Sequence, residues 1–85
     1  MEEITLEQKL KILGELIVKR DVVRDGWIPD FNNNKQKYCI YYGIHGLDVT
    51  NIISYNRIFL FEKDVQCEVF YDIHKEQLLL IQDLL

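Results

Sequence analysis

The segment GWIPDFNNNKQKY (Gly26–Tyr38) separates two parts of the chain whose hydrophobic patterns differ. It contains the only tryptophan, the only proline and a run of three asparagines. Pro29 favours an extended conformation for Ile28, and asparagine side chains stabilise turns by hydrogen bonding to nearby backbone. We therefore predict an ordered loop over residues 26–36, at the point where a helix gives way to a sheet.

The residues before this loop have the pattern of an amphipathic helix. Thr5 and Gln8 have the spacing of a capping box, and Asp25 with Gly26 is typical of a helix C-terminus. We predict a helix over Leu6–Arg24. Four apolar residues recur at helical spacing and are expected to share its core-facing side: Leu6, Leu10, Leu13 and Ile17.

After the loop, apolar residues alternate with a period of two, which is typical of strands. We predict strands from Lys37, over Val49–Tyr55 and over Arg57–Glu62, with Gly43 and Gly46 at the first bend. Because the connections are short, the strands should be antiparallel. The sets Tyr38, Ile40, Tyr42 and Tyr41, Phe59, Phe61 are expected on opposite faces, and the set away from the helices would be partly exposed.

A second helix is predicted after Asp64, which can cap its start. Its core-facing ridge is expected to contain Val69, Phe70, Ile73, Leu80, Ile81 and Leu84. A second ridge contains Cys67, Tyr71, Leu78 and Leu85, so the apolar residues span more than half of the circumference. We interpret Tyr71, Leu78 and Leu85 as dimerisation candidates, with deep packing of the helix as the alternative. The predicted fold is α+β, in the order αβββα, with both helices on one sheet face.

Composition limits the possible functions. With 85 residues the chain is expected to form one domain over 1–85. The net charge of −4 makes direct nucleic-acid binding unfavourable. No signal peptide or long apolar segment is evident, so we expect a soluble, cytoplasmic protein with no membrane contact. Cys39 and Cys67 are expected to be buried free thiols.

No residue pattern indicates a reaction. His45, His74 and the two cysteines have no zinc-ligand spacing, and no phosphate-binding or nucleophile motif is present. We predict no enzymatic activity, no metal and no cofactor. A small hydrolase-type enzyme, with His45 or His74 beside a carboxylate, is an alternative.

The corner segment resembles a small domain common in bacteriophage and prophage proteins. The resemblance lies in Gly26, Trp27, Pro29, Asp30 and the asparagines up to Asn34, in the strand that begins at Lys37 and Tyr38, and in the pattern Phe61-Glu62-Lys63-Asp64 followed by Cys67, Glu68 and Phe70. It covers residues 15–85, although Phe31, Lys63 and Cys67 replace the family's usual tryptophan, serine and alanine. It implies a phage or mobile-element setting, in which small acidic proteins often inhibit host defences, as anti-CRISPR proteins do.

The function predicted on these grounds is binding of a host or phage protein, such as a nucleic-acid-binding defence nuclease. An acidic, aromatic surface would suit a basic partner surface. The residues expected to contact the partner are Trp27, Asp30, Tyr38, Tyr41 and Tyr42. Trp27 and Phe31 could instead fill the core between helix and sheet. The alternative function is that of a homodimeric structural or assembly protein.

Overall fold

A computed structural model describes residues 4–30, 35–52 and 56–85 of the chain. Helix α1 spans Leu6–Arg24, and the strands are β1 (Lys37–Gly43), β2 (Gly46–Ile52) and β3 (Leu60–Phe61). Helix α2 spans Asp64–Leu80, and a short 3-10 turn follows at Gln82–Leu84. The predicted α+β fold in the order αβββα is confirmed. Phe31 and the asparagine run lie outside the described residues.

Both ends of α1 form as the sequence predicts. The Thr5 Oγ1 accepts from the Gln8 amide at 3.1 Å, and the Gln8 side chain accepts from the Thr5 amide at 2.8 Å, which completes the capping box. At the other end Asp25 is left-handed with φ 49°, and Gly26 follows with φ 86°. The chain reverses there, and the Trp27 amide donates to the Arg24 carbonyl at 3.0 Å.

Strand β1 lies at the centre of an antiparallel sheet with the order β2-β1-β3. Strand β2 begins at Gly46, three residues earlier than predicted, and the predicted end at Tyr55 lies outside the described residues. Strand β3 is much shorter than the predicted Arg57–Glu62, although the Ile40 amide also donates to the Phe59 carbonyl at 3.1 Å. The carbonyls of Ile58 and Leu60 in this segment face away from β1 and bond to side chains.

Two arginines of α1 supply those bonds. Arg20 Nη1 donates to the Ile58 carbonyl at 2.5 Å, and Arg24 Nε donates to the Leu60 carbonyl at 2.7 Å. An exposed strand edge is a template for unwanted pairing with other chains. These guanidinium groups therefore close this edge and attach α1 to the sheet.

The core lies between the sheet and both helices. The Phe70 ring of α2 is at its centre, 5.5 Å from the Phe59 ring and 5.2 Å from the Phe61 ring between centroids. Helix α2 contacts all three strands, and α1 packs mainly against α2. The fully buried members of the core are Leu16, Ile40, Phe59, Phe61, Cys67, Phe70, Leu78 and Ile81.

The predicted core faces of the helices need correction. On α1, Leu16 is buried, whereas Leu6 and Leu10 are 62% and 53% exposed. Leu13 packs against the core from a half-buried position. Relative to the prediction, α1 is therefore rotated about its axis. Leu16 faces the core, and the part of the predicted apolar stripe that contains Leu6 and Leu10 lies at the edge of the contact.

On α2 the buried face draws from both predicted ridges, and Phe70 and Ile81 of the core ridge are buried as predicted. Leu78 and Cys67 of the supposed second ridge are fully buried. Val69, Ile73 and Leu80 of the supposed core ridge are 49%, 69% and 47% exposed. Asp64 begins the helix and Lys63 is the residue at the cap, so Asp64 does not have the capping position predicted for it.

The two sheet faces are also composed differently from the prediction. Phe61 pairs with Tyr38 across the β1–β3 ladder and so shares the helix-covered face with it, not with Tyr41. The opposite face carries Cys39 and Leu60, which are both fully buried. That face is therefore covered at this end of the sheet.

Candidate functional site

The corner after α1 contains two of the predicted contact residues. Trp27 is half-buried, and the Arg24 guanidinium carbon lies 5.7 Å from the centre of its ring. Asp30 is exposed, and so is Ile28, at 80%. The short left-handed turn at Asp25 and Gly26 positions this segment at the end of α1. There Trp27 covers the Arg24 side chain and not the core.

The three predicted tyrosines of β1 do not form one surface. Tyr38 is half-buried and packs against the core. Tyr42 lies on the same face of the strand and is 47% exposed. Tyr41 points to the opposite face, because adjacent strand residues alternate. None of the three lines the depression that contains Trp27.

The predicted dimerisation residues belong mainly to the core of the chain. Leu78 is fully buried, so the prediction that it lies on an exposed ridge is wrong. Tyr71 and Leu85 are half-buried and pack against the core, and the Tyr71 hydroxyl donates to the Leu47 carbonyl at 3.3 Å. These side chains stabilise the monomer by joining α2 and the C-terminal turn to the sheet.

A different apolar surface lies between the helices, which we call the α1–α2 groove. It encloses about 290 Å³. Its apolar lining residues are Val23, Val65, Val69, Phe70 and Ile73, and Gln66 and His74 complete it. Val65, Val69 and Ile73 recur every four residues along α2, so the spacing that marks a helical ridge was visible in the sequence. What the sequence did not show is that this ridge is exposed.

Two acidic residues of α2, Asp72 and Glu76, lie beside the apolar ridge of the groove. Asp72 follows Val69 by three residues and Glu76 follows Ile73 by three, which places each carboxylate next to an apolar member of the ridge. Both residues are exposed. The groove is thus an apolar surface with a negative border along α2.

His74 lies at the inner side of the groove, 4.5 Å from the Phe70 ring between centroids. Burial lowers the pKa of its imidazole, the nearby Lys19 charge lowers that pKa further, and a hydrogen bond with Gln77 opposes the shift. The imidazole is therefore held neutral, which suits an apolar surface and not an ion pair.

Both cysteine thiols lie in the interior of the protein. Cys39 and Cys67 are buried free thiols, as predicted. Burial raises the pKa of both, that of Cys67 to about 12, so neither is a thiolate at neutral pH. Within residues 4–30, 35–52 and 56–85, no three His, Cys, Asp or Glu side chains converge as metal ligands would.

In the part of the chain that the structure describes, neither helix has the length and apolarity needed to cross a membrane. The chain matches no protein-family model, and neither curated proteins nor solved structures show significant similarity to it. The resemblance to a phage domain therefore stays a prediction from residues 15–85.

Proposed function

We propose that this chain is a non-enzymatic protein-binding module and that the α1–α2 groove is its contact surface. The observation that carries the proposal is the exposed ridge of α2. Val65, Val69 and Ile73 are 58%, 49% and 69% exposed, and they are contiguous with the groove. Contiguous exposed apolar surface beside polar residues marks association sites in soluble domains.

The occupant that fits this groove is an amphipathic segment of a partner protein with apolar and basic side chains. Apolar side chains would fill the space beside Val69 and Ile73, as a third helix does when it packs on two others. Basic side chains would face Asp72 and Glu76. Electrostatic complementarity of this kind speeds encounter and selects partners.

A second copy of the chain fits less well. A two-fold symmetric dimer uses the same surface on both subunits. Pairing two α2 ridges would bring Asp72 and Glu76 of one copy near the same residues of the other. Like charges brought together at an interface disfavour that pairing.

We also propose a biological setting for this module and a target protein. The resemblance of the corner segment supports a phage or mobile-element origin and a bacterial cytoplasmic location. The net charge of −4 supports a basic target surface, such as the nucleic-acid groove of a host defence nuclease. The chain would then act as anti-CRISPR proteins do, by occupying the surface that nucleic acid would use.

The experiment compares the tagged chain with two matched variants in affinity capture from bacterial lysate. Ile73→Glu adds a charge in the groove. Ile44→Glu makes the same change in the β1–β2 turn, at a side chain that is 95% exposed and lines no part of the groove. Circular dichroism checks that both variants are folded, and light scattering measures the mass of each.

We expect the original chain and Ile44→Glu to retain the same protein in stoichiometric amount, and Ile73→Glu to lose it. The retained protein is then assayed for nuclease activity with and without the chain. Retention by Ile73→Glu would remove the groove from the proposal. A tight dimer that Ile73→Glu converts to a monomer would overturn the partner reading and support the homodimeric assembly protein.

A further inference from the structure

The three arginines of the chain all line one cavity, which shares no lining residue with the groove. They are Arg20 and Arg24 of α1 and Arg57, which precedes β3. The cavity has a volume of about 560 Å³, which is in the range of small-molecule sites. Its other lining residues are Ile17, Pro29, Asn56 and Ile58. A chain with a net charge of −4 thus gathers its guanidinium groups in one place.

Two of these guanidinium groups are held in position by the fold. Arg20 and Arg24 each donate to an edge carbonyl of the β3 segment, at Ile58 and Leu60. The Arg20 side chain is only 16% exposed. A planar guanidinium that is already fixed loses little entropy when it binds an anion. The edge-closing bond of Arg24 uses Nε alone, so its two Nη groups can still donate to a ligand.

The positive charge of the cluster is only partly neutralised. In the described part of the chain, the one carboxylate in an ion pair with these arginines is that of Asp21, 2.8 Å from Arg20. Burial lowers the pKa of Arg24, and the charge of Arg20 lowers it further, while Asp21 opposes the shift. Arg57 is exposed and bonds to neither edge carbonyl of β3. Closure of the sheet edge therefore accounts for the positions of Arg20 and Arg24 but not for that of Arg57.

A second depression adjoins the arginine cavity and shares Arg24 and Pro29 with it. It encloses about 290 Å³, and its other lining residues are Asp21, Gly26, Trp27 and Ile28. The Trp27 ring lies against the Arg24 guanidinium at 5.7 Å. A flat aromatic surface beside a cationic cavity offers stacking to a ring and charge to an attached anion.

We infer that this cavity binds the phosphate group of a small organic phosphate, such as a mononucleotide, whose ring lies against Trp27. Phosphate fits better than carboxylate, because its double negative charge matches the two guanidinium groups that Asp21 does not neutralise. Arginine also recognises phosphate oxygens through paired N–H donors. This site is separate from the α1–α2 groove, so it stands or fails independently of the proposed partner binding.

Trp27 is the only tryptophan, so its fluorescence reports directly on the site. The full chain is titrated with AMP at constant ionic strength, and calorimetry measures the same binding without relying on fluorescence. Adenosine tests whether the phosphate is needed, and inorganic phosphate tests whether the organic part contributes. Arg57→Gln removes a cavity charge without touching the sheet edge, and Lys11→Gln removes one charge from the exposed side of α1.

We expect saturable binding of AMP that adenosine does not show and that inorganic phosphate shows more weakly. Arg57→Gln should weaken it by about tenfold, as loss of one charge-assisted donor group does, and Lys11→Gln should leave it nearly unchanged. Equal weakening by both variants would mean general charge attraction and would overturn the site. No AMP binding by calorimetry would overturn it too. Tighter binding of an oligothymidylate with a steep salt dependence would replace the small ligand with a nucleic-acid strand.

Discussion

Leu78 and Leu80 lie two residues apart on α2, and truncating each to alanine tests where the core of this protein is. The Leu78 side chain is fully buried, and that of Leu80 is 47% exposed. Hydrophobic periodicity alone predicts the opposite, with Leu80 on the core-facing ridge and Leu78 on the second ridge. Because both stand in the last turn of α2 and alanine favours the helix, the difference between the two variants measures packing rather than helix propensity.

The expected magnitudes differ severalfold. Removing a buried leucine side chain costs about 2 to 5 kcal/mol, because a cavity remains where atoms were in contact. We expect about 3 kcal/mol for Leu78→Ala, out of a total stability of roughly 4 to 13 kcal/mol for a domain of this size. Leu80→Ala removes a side chain that is half in water and leaves no enclosed cavity, so its cost should be about 1 kcal/mol or less.

Urea denaturation followed by circular dichroism gives both free energies, and thermal unfolding gives an independent measure. At about 4 to 8 °C per kcal/mol for a small domain, the melting temperature should fall by roughly 12 to 24 °C for Leu78→Ala. The fall for Leu80→Ala should be less than about 8 °C. If Leu80→Ala is the more destabilising change, α2 is rotated so that Leu80 and not Leu78 packs in the core. The α1–α2 groove would then not exist as described.

Two further predictions concern ionisable groups. Burial raises the pKa of Cys67 to about 12 and also raises that of Cys39. A thiol reagent at neutral pH should therefore label neither cysteine in the folded chain and both cysteines in urea. Rapid labelling without denaturant would contradict their burial. The pKa of His74 is lowered in the folded state, so the unfolded chain takes up the proton first, and stability should fall as the pH drops through 6.5, the ordinary histidine value. His74→Gln should flatten that part of the stability curve in urea titrations, and an unchanged slope in this variant would assign the dependence to other groups.

Much of the fold follows from local signals in the sequence. The capping box at Thr5 and the turn at Asp25 and Gly26 define α1, since each bond there joins residues close in the chain. The alternation after Lys37 defines β1 for the same reason. The closure of the outer β3 edge could not be predicted, because it depends on Arg20 and Arg24, which are more than 30 residues away in sequence and bond to the Ile58 and Leu60 carbonyls.

The candidate surfaces could be predicted from the sequence only in part. Trp27 and Asp30 do lie together at the corner after α1, and Trp27 borders a depression. The tyrosines of β1 are divided between two faces, so they cannot form the single patch expected of them. The convergence of three arginines gave no local pattern, since Arg57 is far in sequence from the two on α1.

The sequence by itself determined the order of elements, the ends of α1, the strand alternation and the lack of any reaction motif, because these depend on neighbours within a few residues. Tertiary structure alone decided which apolar residues of α2 face inward. Apolar residues cover more than half of that helix, so several faces of similar hydrophobicity compete for the core. The choice between them depends on the shape of the surface that α1 and the sheet present, and that shape exists only once the elements have packed.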